Sequence, residues 1–100
     1  MNKQEYLLTC LSEECAEIQQ AVSKALRFGL DNYNPNGLLT NKDAISLELN
    51  DLQAIKEMLI KEGVLTEESD EENKLLKQRK KDKVLHFMNI SADCGTLSIE

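Results

Sequence analysis

The chain has a single histidine, a single proline and no tryptophan, and only 4% of its 100 residues are aromatic. Each shortage excludes something. With His86 alone and no CxxC pair, the nitrogen and sulfur donors of an ordinary zinc site are missing. The three cysteines, Cys10, Cys15 and Cys94, are an odd number. Cys10 and Cys15 fall on different faces of one expected helix, so a disulfide framework is not expected, and a reducing, cytoplasmic setting is. The cysteines also lack a histidine partner suited to nucleophilic catalysis, so no covalent intermediate is expected. No apolar run approaches the ~20 residues that span a bilayer, and the opening MNKQEYLL lacks the apolar centre of a signal peptide. A membrane partner is therefore not expected.

Charge is plentiful but unevenly placed. The net charge is −6, yet residues 1–73 carry 6 basic and 15 acidic residues, whereas residues 74–100 carry 6 basic and 3 acidic ones. An acidic body with one basic segment lacks the broad basic face that duplex nucleic acid demands. It suits a site that holds metal with one part and phosphate with another.

With so few helix breakers, one small all-α domain covering residues 1–100 is expected, a bundle of three to four helices. Asn2 with Glu5 forms a capping box for a first helix over 3–28, stopped by Gly29. Residues 30–41 read as a loop, with Pro35, Asn36 and Gly37 at its turn. That is long for a helix–helix connection, and such loops are often functional. Thr40 or Asn41 caps a second helix over 42–62, stopped by Gly63. Ser69 with Glu72 marks a third helix from about Asp70 to about Asn89, followed by a tail with room for one more helical turn. Apolar Leu47, Leu49, Met58 and Ile60 spread well around the second helix, beyond one stripe. That width predicts a second buried face and a homo-oligomer, a dimer or larger assembly.

Four acids stand where apolar residues belong. At about 100° per residue, Glu14 shares its face with Leu7, Ala21 and Ala25, and Glu48 lies among Ile45, Leu52, Ile55 and Leu59. Glu17 and Asp51 follow three residues later, next to them on the helix surface. ExxE and ExxD are common on charged helices and usually face water. Their placement near the centre of two apolar stripes argues otherwise, because buried unpaired carboxylates are costly and repel one another. A hard cation with oxygen ligands, Mg²⁺ or Mn²⁺, compensates economically, and helical bundles build such sites from facing helices. Glu13 points to the side shared with Glu17 and Lys24, as an accessory base or a surface acid. Lys24, Arg27, Lys80 and Lys83 are the candidate phosphate ligands, Lys83 being the basic residue nearest the apolar end of its helix. A run such as KQRKKDK is most often a solvated face. Tyr33 and Asn34, in the long loop, are candidate base contacts.

The segment EECAEIQQAVSKALRFG followed by ELNDLQAIKEML resembles the MazG-like, all-α nucleoside triphosphate pyrophosphohydrolases, whose signature is EExxE, a spacer, then ExxD. Here it reads Glu13-Glu14-Cys15-Ala16-Glu17 and Glu48-Leu49-Asn50-Asp51, and the tail KKDKVLHFMNIS is similar to the last helix of short members. The resemblance implies that Glu14, Glu17, Glu48 and Asp51 ligate Mg²⁺ and that Glu13 is the accessory acid. It also implies that the substrate is a nucleoside triphosphate, cleaved to monophosphate and pyrophosphate by a dimer or tetramer. The 30-residue spacer between Glu17 and Glu48 is longer than in compact members, which bears on the base pocket. Two alternatives remain open: a phosphoribosyl-ATP pyrophosphohydrolase, which shares the fold, and a non-enzymatic helical oligomerisation module whose acids pair with basic side chains.

Overall fold

The computed structural model describes residues 1–33 and 37–98. Among the described residues it is all-helical, with three helices: α1 (Lys3–Phe28), α2 (Asn41–Lys61) and α3 (Asp70–Asp93). The chain divides into two compact units, Met1–Thr66 and Glu67–Glu100.

In the first unit α1 and α2 pack against each other as a helical hairpin. The expected capping box opens α1: Asn2 Oδ1 accepts from the Glu5 amide at 2.8 Å, and Glu5 Oε1 accepts from the Asn2 amide at 3.3 Å. Gly29 ends the helix at φ 93°, a left-handed backbone where a side chain would be strained. Thr40, rather than Asn41, caps α2 by accepting from the Asp43 amide at 3.3 Å. Asn41 is thereby the first residue of the helix, and α2 ends one residue short of Glu62.

The core is small: Leu7, Ala21 and Ala25 of α1 and Leu59 of α2 are buried, Leu59 completely. Burying one such leucine contributes about 1.5–3 kcal/mol, so a hairpin with so few depends on every contact it makes. The long connection is tied at its ends. Tyr33 and Thr40 form an antiparallel bridge, and the Asn41 and Lys42 amides donate to the carbonyls of Asn32 and Leu30 at 2.8 and 3.0 Å. The expected turn at Pro35 and Asn36, and the suggested base contact of Asn34, lie outside the described residues.

In the second unit Ser69 caps α3 by accepting from the Glu72 amide at 3.2 Å. The helix runs to Asp93, four residues past the expected end near Asn89. Nothing in Ile90-Ser91-Ala92-Asp93 breaks a helix, and the stop comes instead at Gly95, with φ 80°. The tail folds back on the helix end, where the Ser91 carbonyl accepts from the amides of Thr96 and Leu97 at 3.0 and 3.1 Å. No residue of α3 is buried, and Leu75, Leu85 and Phe87 are each more than half exposed.

Candidate metal centre

Both acidic motifs stand on the hairpin. Glu14 and Glu17 are one turn apart on α1, and Glu48 comes from α2. Carboxylate oxygens of these three residues lie within 4.8 Å of one another. Glu14 and Glu48 are half-buried and Glu17 is exposed. The first acid of each motif thus sits on the packed face and the second acid of α1 at its rim, which follows from helical spacing. Asp51, half-buried on the next turn of α2, lies outside that group of three, while its charge still acts on Glu14 and Glu48.

One oxygen on each central acid is orphaned. Glu14 Oε2 and Glu48 Oε2 are buried and accept no hydrogen bond. The carboxyl groups as a whole are only half-buried; it is these single oxygens that water does not reach. The ion pairs formed among the described residues, Lys3–Glu62 at 2.7 Å and Lys42–Asp31 at 2.9 Å, lie away from the cluster. The cluster therefore gathers negative charge with no basic partner in contact.

Proton affinities respond accordingly. Glu48 is pushed up to about 7, first by desolvation, then by sharing a hydrogen bond with Glu17 and by the charges of Glu17, Asp51 and Glu14. Glu14 is also raised, by desolvation first and then by Glu17, Asp51 and Glu13, with a hydrogen bond from Glu48 acting the other way. Burial and mutual repulsion both favour a proton on Glu48 and Glu14, and such a proton lowers the repulsion within the group. A divalent cation does the same work more fully. The donor set is oxygen only, which suits Mg²⁺ or Mn²⁺ rather than zinc. Two orphaned oxygens, one from each of two packed helices, within a group of three close carboxylates, fit such an ion.

The remaining candidates are dispersed. Glu13 is exposed beside the cluster and contributes charge to Glu14. Lys24 and Arg27 border a shallow groove of about 480 Å³ along α1, with Gln19, Gln20 and Ser23. The Arg27 guanidinium also sits over the Phe28 ring, 5.1 Å from its centre. Lys80 and Lys83 belong to the second unit, where they edge a cavity of about 430 Å³ with Phe87, Met88 and Leu97. A residue that spacing alone did not single out as structural is Asn41, 1% exposed. Its sequence signal, an asparagine beside a helix start, is shared with ordinary caps.

No family model, no curated protein and no solved structure matches the chain. The functional reading therefore rests on the residues themselves.

Proposed function

We propose that the protein is a Mg²⁺-dependent nucleoside triphosphate pyrophosphohydrolase. One observation carries the metal half of this reading: two buried carboxylate oxygens, on facing helices, that no donor or cation within the described residues satisfies. The substrate half rests on the resemblance of the ordered EExxE and ExxD pair to the MazG-like enzymes.

In this reading Glu14, Glu17 and Glu48 hold the ion, and Asp51 completes the set from one turn further on. Bound Mg²⁺ supplies charge neutralisation on the triphosphate and a lowered pKa for an attacking water. The chain's own residues do the rest. Glu13, exposed and outside the group of three, would be the carboxylate that takes a proton from an attacking water. Lys24 and Arg27, on the same helix as Glu14 and Glu17, are the cations of this unit available to the phosphates and to the pyrophosphate leaving group, and Lys80 and Lys83 are the candidates that the second unit offers. The products are the nucleoside monophosphate and pyrophosphate.

The working form in this reading is a homo-oligomer in the cytoplasm. Half-exposed Leu47, Leu49 and Met58 on α2 supply a second apolar face for another copy. Free cysteines suit a reducing compartment. Among the described residues no helix is long and apolar enough to cross a membrane.

A panel of ribo- and deoxynucleoside triphosphates with Mg²⁺, scored for pyrophosphate against phosphate, tests the proposal. Pyrophosphate release that EDTA abolishes is expected. Release of orthophosphate, or turnover of phosphoribosyl-ATP alone, would overturn the assignment. No turnover together with a melting temperature indifferent to Mg²⁺ would favour a non-enzymatic module.

A further inference from the structure

The buried core leaves one question open: what stops α1 and α2 from sliding along each other? Two of the four buried apolar residues are alanines, Ala21 and Ala25. Alanine presents a nearly flat surface, which offers little resistance to displacement along the helix axis. Leu59 is fully buried, but a leucine packs acceptably in many positions. At the open end of the hairpin, Lys3 and Glu62 pair at 2.7 Å with side chains 68% and 37% exposed, and exposed pairs of this kind hold little. Yet the acidic cluster needs the register to be right, because a slide of one helical turn, about 5.4 Å, is longer than the 4.8 Å that spans its three oxygens.

At the loop end the contact is of a different kind. Asn41 is 1% exposed and donates from Nδ2 to the Gly29 carbonyl at 2.8 Å. That carbonyl stands just past the end of α1, among the groups that the helix itself leaves unpaired. The Asn41 amide donates to the Asn32 carbonyl at 2.8 Å. Asn32 in turn donates from Nδ2 to the Phe28 carbonyl. Two asparagine side chains thus close the C-terminal carbonyls of α1, and one of them is the first residue of α2. Space there is tight: a Cβ on Gly29 would come within 3.0 Å of Asn32 Nδ2. A slide in either direction breaks the Asn41–Gly29 bond and strands its donor, which is disfavoured far more than making the bond is favoured. Buried polar contacts select one register out of several apolar ones in this way.

We propose that Asn41 is a positioning residue: it fixes the register of α2 on α1 at which Glu48 faces Glu14 and Glu17. The register stands on the hydrogen bonds alone; its consequence for a bound ion rests on the metal reading above. Of the buried side chain's two polar ends, Nδ2 is the one with a partner, the Gly29 carbonyl, while Oδ1 has no donor.

Spin labels test this in the full chain, with the three cysteines replaced by serine and labels carried by Ser12→Cys and Gln53→Cys. Asn41→Leu keeps the branched shape and removes the donor; Asn41→Ala brings in a good helix former and admits water to the Gly29 carbonyl. Both are expected to shift or split the inter-label distance by about 5 Å, one helical turn, and to weaken Mn²⁺ binding at least tenfold, read from the signal of free Mn²⁺. Leu59→Ala is the control for a merely structural role: it should lower the melting temperature while leaving distance and Mn²⁺ affinity in place. An unchanged distance in both Asn41 variants overturns the proposal, as does an equal change in Leu59→Ala. Should the unsubstituted protein bind no Mn²⁺ while the Asn41 variants still shift, the register role stands and the metal reading falls.

Discussion

Replacing Glu48 by Gln should make the metal-free protein more stable at alkaline pH and abolish its use of metal. The reasoning starts from the proton. Desolvation first, and then the neighbouring carboxylates, push Glu48 up to about 7 in the folded chain from an ordinary value of 4.5. A carboxyl raised in this direction binds its proton more tightly folded than unfolded. Its contribution to stability is therefore fully present below about 4.5 and is lost as pH rises through 7. At about 1.4 kcal/mol per pH unit the ceiling is about 3.5 kcal/mol, and solvent around a half-buried carboxyl reduces this to about 1–2 kcal/mol. For a unit of this size each kcal/mol moves the melting temperature by about 4–8 °C. In EDTA, the unsubstituted protein should melt at a lower temperature at pH 8 than at pH 5, followed by circular dichroism. Glu48→Gln, neutral throughout and able to donate to its neighbours, should lose most of that slope. Mg²⁺ at a hundredfold over its dissociation constant should add about 2.7 kcal/mol to the unsubstituted protein at pH 8 and nothing comparable to the variant. A metal-free melting temperature that rises from pH 5 to 8, or a slope that survives in Glu48→Gln, would refute the reasoning.

Further outcomes follow from the same geometry. Asp51→Asn should weaken Mg²⁺ binding less than Glu48→Gln, since Asp51 lies outside the group of three close oxygens; calorimetric titration of both checks this. Leu59→Ala empties a fully buried site and should cost about 2–5 kcal/mol, read from urea unfolding. Lys83→Ala should lower kcat/KM for the triphosphate by about ten- to a hundredfold, the equivalent of a charged hydrogen bond of about 1.5–3 kcal/mol, while Lys77→Ala, deeper in the basic run, should do little; equal effects would mean that the run acts through its net charge. Light scattering at micromolar concentration should give at least twice the protomer mass, and a monomer would remove the oligomer.

Local rules made most of the helices legible in the sequence. A capping asparagine with its glutamate, a capping threonine, a capping serine and glycines at positive φ mark boundaries because the groups that satisfy them lie within a few residues. The end of α3 lies past the expected one because no signal for a stop exists before Gly95, and the helix continues to Asp93. The acidic residues were legible as an anomaly of position. Period 3.6 places Glu14 and Glu48 among apolar neighbours, and both are half-buried with an orphaned oxygen.

What spacing could not provide is register. The identity of the three residues that meet depends on how far α2 is displaced along α1, and no pattern within either helix encodes that displacement. It is decided by a contact between residues 12 apart, Asn41 and Gly29, whose chain neighbours advertise only a cap and a stop. The same limit applies to the basic residues. Lys24 and Arg27 share a helix with Glu14 and Glu17, so their spacing from the acids follows from the helix rise alone. Lys80 and Lys83 are separated from the acids by the linker between two units, and sequence order carries no distance across it. The predictions divide along that line: those on Glu48, Asp51 and Leu59 test geometry within one hairpin, whereas the contrast between Lys83 and Lys77 tests whether α3 takes part in the chemistry at all.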